Sequence, residues 1–490
     1  MGKRIAIIGS GFSSLSASCY LAKAGYNVEV FEKNEQTGGR ARQFSEDGFT
    51  FDMGPSWYWM PDVFDNFFAD FGKKVSDYYH LIRLNPSYTV HFQDGEKWEI
   101  PADYNEFKKL LESKESGSSD QLDRFIADAK YKYEVGINDL VTKPSLSFTE
   151  FIDWRVIVGS LRLNLFSSFS DHVRKYFKHP NIIELMEFPV LFLGAKPSKT
   201  PALYSLMNYA DISLGTWYPQ GGMYNIVSAM TQLAESLGVK FHVNHTVSKV
   251  SVENGITKGI EVNDEFIPFD VVVGGADYHH VEQHLLEEKY RKYDEKYWET
   301  RTMAPSSLIY YLGFDIKIDG LTHHNLFFDE SFNDHAIEIY DTPQWPKKPL
   351  FYVSCPSKID NSVAPEGKEN IFILIPTAPD MKESKELLDK YLEDVLTRME
   401  RLLKVEIKQH IIFKRSYGYT DFVSDYNSFK GNAYGLANTL KQTAIFKPSM
   451  INSKVKNLFY TGQLTTPGPG VPPSIISGKV VSELIQKKVN

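Results

Sequence analysis

The stretch RIAIIGSGFSSLSASCYLAKAGYNVEVFEK, residues 4–33, decides the fold of this chain. Its apolar run IAII, residues 5–8, predicts a short strand that is buried on both faces. A glycine-rich turn then opens a helix, and Gly25 suits the position just after the helix end. The segment NVEVF, residues 27–31, predicts a second strand. This order of strand, turn, helix and strand is typical of a βαβ dinucleotide-binding unit.

The residue types in this unit suit a bound diphosphate and ribose. Gly9 permits the tight turn, Gly11 lets the backbone approach a pyrophosphate, and the helix N-terminus offers free N–H groups to the phosphates. Glu32 ends the second strand and can accept hydrogen bonds from a ribose hydroxyl pair. An acidic residue there disfavours the 2′-phosphate of NADP. Ser14 stands where the fingerprint has its third glycine, and so small a residue still allows close packing of helix against strand.

The residues after Glu32 favour FAD over NAD. The segment KNEQTGGRARQF is followed by DGFTFDMGPSWYWM. The Gly-Gly-Arg triplet at residues 38–40 and the Gly-x-x-x-Asp-x-Gly pattern at residues 48–54 resemble the second half of the two-part FAD fingerprint. Glycine pairs at this point let the chain pass close to a ribityl-diphosphate. Arg40 can contact a phosphate or the flavin edge.

Composition limits the classes of partner. The chain has 490 residues, of which 42% are hydrophobic and 24% charged, with a net charge of −8. This balance suits two or three globular domains and disfavours a nucleic-acid partner. The two cysteines, Cys19 and Cys355, predict buried thiols in a reducing compartment. Neighbouring histidines on a strand point to opposite faces, so no metal site is predicted at the pairs His279-His280 and His323-His324. With no signal peptide and no apolar run of 18 residues, we expect a cytoplasmic protein without a transmembrane helix.

The segment at residues 151–179 has two interpretations. Its apolar residues fall on one helical stripe, with basic residues among them in an otherwise acidic chain. The stripe comprises Trp154, Ile157, Val158, Leu161 and Leu165, and the basic residues are Arg155, Arg162, Arg174, Lys175 and Lys178. One interpretation is a helical face that touches a membrane surface, with arginines at the headgroups. The other is a core-facing helix with a solvated charged face.

Later strand signals indicate that the dinucleotide unit is interrupted and resumed. Asn254-Gly255 is a strong hairpin signal, and VVVGGAD at residues 271–277 restores the buried-strand pattern. Strand-like stretches at residues 306–314, 325–329 and 370–377 suggest a mixed sheet. An exposed loop between helices is expected at residues 112–121.

We therefore expect an α/β fold of three parts. They are a Rossmann-like FAD-binding domain, an inserted mixed-sheet substrate-binding domain and a helical, membrane-associating region. Residues 1–75, 218–285 and 441–490 are assigned to the first part, residues 76–130 and 286–440 to the second, and residues 131–217 to the third.

The chain resembles bacterial phytoene desaturases, the carotenoid desaturase branch of the flavin amine oxidase superfamily. The blocks that carry the resemblance run in order along nearly the whole chain. They include IAIIGSGFSSLSA, VFEKNEQTGGRA, GFTFDMGPSWYWMPDVF, YPQGGMYNIVSAM, VVGGADYHH, APSSLIYYLGFD, GNAYGLANTLKQTAIFKPS and NLFYTGQLTTPGPGVPPSIISGK. The dinucleotide blocks are common to the superfamily, whereas GPSWYWMPDVF and PGPGVPPSIISGK are more specific to carotenoid enzymes.

The resemblance implies an FAD enzyme that desaturates a C40 carotenoid, most directly phytoene, stepwise to neurosporene or lycopene. Hydride would pass to flavin N5 while a neighbouring proton is lost, and oxygen or a quinone would reoxidise the flavin. A substrate that dissolves in the bilayer implies peripheral association with the inner face of the membrane. It also makes Trp57, Tyr58 and Trp59 candidates for lining a substrate tunnel. No motif identifies the side chain that accepts the proton.

The resemblance also assigns cofactor contacts. These are Gly9, Gly11, Phe12 and Ser13 at the diphosphate, Glu32 and Lys33 at the adenosine, Gly39 and Arg40 near the ribityl chain, Gly54, Pro55 and Ser56 near the isoalloxazine, Val247 at the adenine, and Gly462, Gln463, Gly470 and Val471 at the C-terminal edge. The family often has an acidic residue where Gln463 stands, and glutamine adds no negative charge. The loop at residues 467–473 is expected to fix backbone beside the flavin, with a last helix starting near Pro472 or Pro473.

Three alternatives remain. An amine oxidase with covalent flavin would need a cysteine near the C-terminal block, and Cys355 lies far from it in sequence. A hydroxycarotenoid desaturase or a carotene isomerase would share the fold and the cofactor. A non-catalytic lipid-binding escort protein of related fold would have lost the flavin contacts, whereas Glu32 and the triplet at residues 38–40 are intact.

Overall fold

Two large sheets with surrounding helices make up the computed structural model, which describes residues 2–147, 150 and 167–489. In chain order the strands are β1 (Arg4–Ile8), β2 (Asn27–Phe31), β3 (Gln43–Glu46), β4 (Phe49–Asp52), β5 (Leu81–Arg83), β6 (Tyr88–Phe92), β7 (Lys97–Ile100), β8 (Trp217–Pro219), β9 (Lys240–His242), β10 (Val247–Glu253), β11 (Ile256–Val262), β12 (Glu265–Pro268), β13 (Val271–Gly274), β14 (Ser306–Phe314), β15 (His324–Phe328), β16 (Phe351–Ser354), β17 (Glu369–Thr377), β18 (Ile411–Tyr417) and β19 (Leu458–Tyr460). The helices are α1 (Phe12–Lys23), α2 (Pro61–Ala69), α3 (Tyr104–Lys114), α4 (Ser118–Val135), α5 (Phe169–Val173), α6 (Pro180–Glu187), α7 (Leu206–Asn208), α8 (Tyr224–Ser236), α9 (Tyr278–His284), α10 (Glu295–Glu299), α11 (Phe332–Tyr340), α12 (Lys385–Leu403), α13 (Tyr419–Tyr426) and α14 (Val471–Val489).

The first sheet is parallel, with strand order β19-β13-β1-β2-β9. Its strands are short apolar runs because both faces are covered. Ile5 and Ile7 of β1 pack with α1, α8 and α14, whereas Ala6 and Ile8 face the side covered by the small antiparallel sheet β10-β11-β12. The predicted βαβ unit is confirmed, and Gly25 follows α1 with φ of 90°.

The two ends of the chain pack against each other on one face of this sheet. Helix α14 crosses α1 closely at Gly478, where a Cβ would lie 2.3 Å from the Ser13 carbonyl oxygen. The Ser16 hydroxyl donates a hydrogen bond to the Ile475 carbonyl at 2.7 Å, which ties the helices together. The final strand β19 pairs in parallel with β13 at the edge of this sheet.

The second sheet is mixed and has the order β18-β14-β17-β16-β15-β6-β7. Strands β14 and β17 pair antiparallel along their whole length, whereas β15 and β6 run parallel. Side chains alternate between its faces: Leu308 and Tyr310 pack under α12, and Ile309 and Tyr311 point to the opposite face. This face forms one wall of the site described below.

The strands of each sheet come from the segments assigned to it from the sequence. Strands β1, β2, β9, β13 and β19 lie within residues 1–75, 218–285 and 441–490, and the seven strands of the mixed sheet lie within residues 76–130 and 286–440. The Asn254-Gly255 turn joins β10 to β11 with both residues at positive φ. The exact domain boundaries stay a prediction.

Two local expectations are wrong. The loop expected at residues 112–121 is shorter in the structure, where α3 ends at Lys114 and α4 begins at Ser118. The Glu112 carboxylate accepts hydrogen bonds from the N–H groups of Gly117 and Ser119 and so supports the start of α4. His279 and His280 lie on helix α9, because Asp277 caps its N-terminus, so the argument from strand alternation does not apply to them. Both cysteines are buried, as expected.

The expected membrane-docking stripe, from Trp154 to Leu165, lies outside the described residues. Among the helices that are described, none is long and apolar enough to cross a bilayer. Of the basic residues near the stripe, Arg174 pairs with Glu187.

Candidate functional site

A deep cavity of about 380 Å³ opens where the strands of the parallel sheet end. Residues that follow β1, β2, β13 and β19 line one part of it, as is general for ligand sites of open α/β sheets. The mixed sheet and the segment at residues 53–60 line the other part. All sixteen residues assigned from the sequence lie around this one cavity.

The turn after β1 presents free backbone to the cavity. Gly9 has φ of 87°, and a Cβ there would lie 3.1 Å from the Ala276 nitrogen. Gly11 precedes α1 without a side-chain cap, and the first turn carries no acidic residue. The N–H groups of that first turn therefore have no intrahelical acceptor. No acidic side chain in the turn offsets the positive end of the helix dipole. An anion such as a diphosphate fits this position.

A second backbone segment comes close to the same turn. Gly39 has φ of 56°, and a Cβ there would lie 3.3 Å from the Gly11 Cα. At Gly54 a Cβ would lie 2.3 Å from the carbonyl oxygen of Arg40, so only glycine fits. The glycines of the second fingerprint half thus hold three backbone segments side by side along the cavity.

Glu32 is more engaged than the sequence indicates. One carboxylate oxygen accepts hydrogen bonds from the Ser10 N–H at 2.9 Å and the Ser10 hydroxyl at 2.7 Å. The other oxygen accepts one from the Asn34 N–H at 3.0 Å. A carboxylate offers about four acceptor positions, so about one remains for a ligand. Capture of both ribose hydroxyls by Glu32, as the sequence suggested, would need one of these internal bonds to open.

Arg40 is a buried cation with donors to spare. Its Nη2 donates to the Ser428 hydroxyl and to the Asn432 carbonyl, each at 3.1 Å, and its Nε has no hydrogen-bond partner among the described residues. Burial lowers the pKa of Arg40, and the nearby Asp277 carboxylate opposes this shift. A buried guanidinium with an unused N–H at a cavity wall fits an acceptor-rich ligand.

The C-terminal edge of the cavity is partly committed to protein contacts. The Gly462 N–H donates to the Ser477 hydroxyl at 3.1 Å, and the Gln463 amide donates to Asn432 Oδ1 at the same distance. Gly470 has φ of 112° and leads directly into α14, which begins at Val471, close to the predicted start. Lys33 is also engaged, since its ammonium donates to the Ser424 carbonyl.

The far end of the cavity is apolar and aromatic. Trp57 and Trp59 line it, as predicted, together with Ile309 and Leu374 of the mixed sheet. Tyr58 does not, because consecutive residues of this extended segment alternate in direction. Its ring stacks on Phe64 in the core, and its hydroxyl lies 3.0 Å from that of Tyr79.

Sequence reasoning missed the residues that the mixed sheet contributes. Ser307 and Ile309 of β14, Tyr352 of β16, Leu374 of β17 and the nearby Tyr434 all line the cavity. The alternation within SSLIYYLGF indicates which residues share a face, but the sequence does not indicate which face meets the cofactor half. Asp277 was missed as well; burial raises the pKa of its carboxyl, and Arg40 opposes that shift.

These observations fit a flavin dinucleotide. The uncapped helix end, the close glycine backbones and the unused donor of Arg40 all border one cavity. The apolar and aromatic part of the same cavity suits an isoalloxazine ring and a hydrocarbon chain.

Comparisons with known proteins agree with this arrangement. The family described as flavin containing amine oxidoreductase matches residues 12–486. A carotenoid 3,4-desaturase of Haloarcula japonica is 39% identical over 486 residues, covering 99% of this chain and 98% of the relative. A zeta-carotene-forming phytoene desaturase of Myxococcus xanthus is 31% identical over 490 residues, covering 98% and 93%. The crystal structure of an oxidoreductase from Methanosarcina mazei matches with a TM-score of 0.65 at 18% identity, covering 98% of this chain and all of that one, which shows a shared fold.

Proposed function

The chain belongs to the flavin-containing amine oxidoreductase family, and on that premise we propose that it is an FAD-dependent carotenoid desaturase. The sequence prediction of a flavin enzyme is thereby confirmed. The reaction on carotenoids is supported by two desaturases that match nearly the whole chain. The observation in the structure that carries the proposal is the continuity of the cavity from the dinucleotide half into the aromatic end.

The protein's contribution to this reaction is chiefly positioning. The N-terminus of α1 and Arg40 hold the anionic part of the cofactor, and Glu32 fixes the turn that presents it. Bound FAD supplies the acceptor for a hydride from a saturated carbon. Trp57, Ile309 and Leu374 exclude water and align an extended hydrocarbon chain, which offers no polar group for recognition.

Phytoene is the substrate we propose first, with stepwise conversion to neurosporene or lycopene. A specific observation favours a second candidate: the 39%-identical relative is a carotenoid 3,4-desaturase. Desaturation of a 3,4 bond would act on a carotenoid that is already conjugated, late in a series. We also propose peripheral association with the inner face of the membrane, because either substrate dissolves in lipid, and reoxidation of the flavin by oxygen or a quinone.

Product analysis in two hosts separates these candidates. The chain is expressed in cells that accumulate phytoene and in cells that accumulate lycopene, and extracted carotenoids are compared with those of cells that carry an empty vector. New coloured carotenoid in the first host supports phytoene desaturation. A red-shifted product in the second host alone supports the later step. Unchanged carotenoids in both hosts, with a yellow flavin-loaded protein present, would exclude both and leave the hydroxycarotenoid desaturase and the isomerase as alternatives. A colourless protein that cannot be reconstituted with FAD would instead favour the escort alternative.

A further inference from the structure

In the apolar half of the cavity, a tyrosine hydroxyl is hydrogen-bonded to a buried histidine, and such a pair can take a proton from a hydrocarbon. We propose that Tyr352, backed by His324, is the group that accepts the proton lost from the substrate during desaturation. This inference rests on the proposed function, which assigns the departing hydride to FAD but leaves the second hydrogen without an acceptor.

The geometry joins a cavity hydroxyl to a fully buried base. Tyr352 lies on β16 and lines the apolar end of the cavity, with the Ser354 and Ser56 side chains within hydrogen-bonding reach of its hydroxyl. The Tyr352 Oη lies 2.6 Å from Nδ1 of His324, the first residue of β15, which is inaccessible to solvent. The other ring nitrogen, Nε2, has no hydrogen-bond partner in the described part of the chain.

Other ionisable residues around the cavity suit this task less well. Most of the other ionisable side chains lie in the dinucleotide half, beside Glu32, after β13 or around Arg40 and Arg42: Glu32, Lys33, Arg40, His245, Asp277, Tyr278, His280, Asp425 and Tyr426. Glu32 and Arg40 already hold the backbone there. Tyr434 also lines the apolar half, but the side chain near its hydroxyl is that of Ser307, whose own hydroxyl makes no hydrogen bond among the described residues and cannot take a proton onward. Tyr352 differs because its partner is an imidazole.

The protonation state of His324 suits an acceptor. Burial holds the pKa of His324 well below its usual range, and neighbouring His323 adds to this effect, so the ring is neutral. A neutral ring with Nε2 protonated leaves the Nδ1 lone pair free to accept the Tyr352 hydroxyl proton. A weak base suffices here, because a C–H bond next to a developing carbocation is strongly acidic.

The step balances as follows. Bound FAD would accept the hydride from one carbon together with the electron pair of the broken C–H bond, and would thereby be reduced. The neighbouring C–H bond breaks, its electron pair becomes the new C=C bond, and its proton goes to Oη of Tyr352. The phenolic proton passes at the same time to Nδ1 of His324. After the product leaves, Nδ1 of His324 returns its proton to Oη of Tyr352, which releases its own proton to water that enters the cavity. Oxygen or a quinone would reoxidise the bound FAD.

Trp57 stabilises the positive charge that His324 carries transiently as an imidazolium. Its indole stacks on the imidazole with ring centroids 4.1 Å apart and planes inclined by 8°. An aromatic face at this distance attracts a cation, and the attraction is strongest when water is excluded. The stacked ring therefore offsets part of the cost of a buried imidazolium.

Anaerobic single-turnover measurements on the flavin-loaded protein test the pair. The rate of flavin bleaching by the carotenoid identified in the two hosts is compared for wild type, Tyr352→Phe, His324→Phe and the double variant. We expect each single variant to lose about 10²-fold in rate, as is typical when a general base is removed. The double variant should lose no more than either single variant, because the two residues act as one unit.

Isotope effects separate a chemical role from a structural one. With substrate deuterated at the carbon that loses its proton, the rate effect should grow in Tyr352→Phe, since proton loss then limits the reaction. Tyr310→Phe is the matched control: this buried tyrosine donates to the Leu388 carbonyl on the other face of the mixed sheet, and its rate should stay at the wild-type value. Flavin content and substrate affinity, measured by fluorescence quenching, should be unchanged in every variant.

The two hypotheses fail in different ways. The assigned pair is overturned, but not the desaturase function, if wild type bleaches rapidly and the bleaching rate of Tyr352→Phe lies within about threefold of the wild-type rate. The same conclusion follows if the rate losses of the two single variants multiply in the double variant. Wild-type protein that binds flavin yet is never bleached by any carotenoid would overturn the proposed function, and the pair with it.

Discussion

Replacement of Glu32 by glutamine removes one specific acceptor from the cofactor site. The oxygen that bonds twice to Ser10 has both of its acceptor positions filled. The amide of Glu32→Gln therefore keeps its oxygen towards Ser10 and turns its NH₂ group towards Asn34. The NH₂ group replaces the one carboxylate oxygen that still has a free position for a ligand.

The magnitude follows from that count. Hydrogen bonds to a charged acceptor contribute about 1.5–3 kcal/mol each. Loss of the Asn34 bond should lower the unfolding free energy of the apo-protein by about this amount. Loss of one bond to the ribose should weaken FAD binding by a similar free energy, which corresponds to roughly 10- to 150-fold in the dissociation constant.

Titration of apo-protein with FAD, followed by quenching of flavin fluorescence, measures the second effect, and thermal unfolding without FAD measures the first. Glu29→Gln is the matched control, because Glu29 lies three residues earlier, on strand β2. The Glu29 carboxylate is hydrogen-bonded to Arg4 and His242 and does not line the cavity. The unfolding free energy of Glu29→Gln should therefore fall while its FAD affinity stays at the wild-type value. An FAD affinity of Glu32→Gln within about threefold of wild type, or an equal loss in Glu29→Gln, would refute the assignment of the free oxygen to the ribose.

Two further substitutions probe the cavity wall and its surroundings. Gly54→Ala places a Cβ 2.3 Å from the Arg40 carbonyl oxygen, so we expect purified protein to lose its flavin absorbance; a wild-type ratio of flavin to protein would contradict this. Lys447 is buried, and its Nζ has no partner among the described residues. Burial lowers its pKa to about 7, from 10.5 in the unfolded chain. The cost of burying the charged ammonium therefore lowers the unfolding free energy increasingly as the pH falls from 10.5 towards 7. Lys447→Met should raise the unfolding free energy of the apo-protein by about 4 kcal/mol at pH 7 and by about 1 kcal/mol at pH 10. Denaturant titrations that show a lower stability at pH 7 would contradict this and indicate a partner for the ammonium group.

The sequence predicts the cofactor half well because its signals are local. Strand β1, the turn at Gly9 and helix α1 are consecutive, and their residue types follow from backbone geometry and phosphate chemistry alone. Even the remote strands β13 and β19 are recognisable, since strands buried on both faces read as continuous apolar runs.

The substrate half depends on register, which the sequence leaves open. Strand β14 was predicted with its bounds, yet whether Ile309 or Tyr310 faces the cavity depends on which face α12 covers. The pairing of Tyr352 with His324 depends on β15 and β16 lying side by side. Glu32 shows the same limit in the cofactor half: its position follows from the sequence, but its bonds to Ser10 do not.

The two helix N-termini at the cavity differ in what they can bind. Helix α1 has free N–H groups throughout its first turn. Helix α14 has prolines at its second and third positions, and the Ser474 N–H is taken by the Gly470 carbonyl. The prolines that fix the loop therefore also remove the donors that a diphosphate needs. We infer that α1 is the helix that would hold the diphosphate. Helix α14 offers little more than its dipole and the Val471 N–H, which would suit the weaker, developing negative charge of a reduced flavin ring better than a permanent anion.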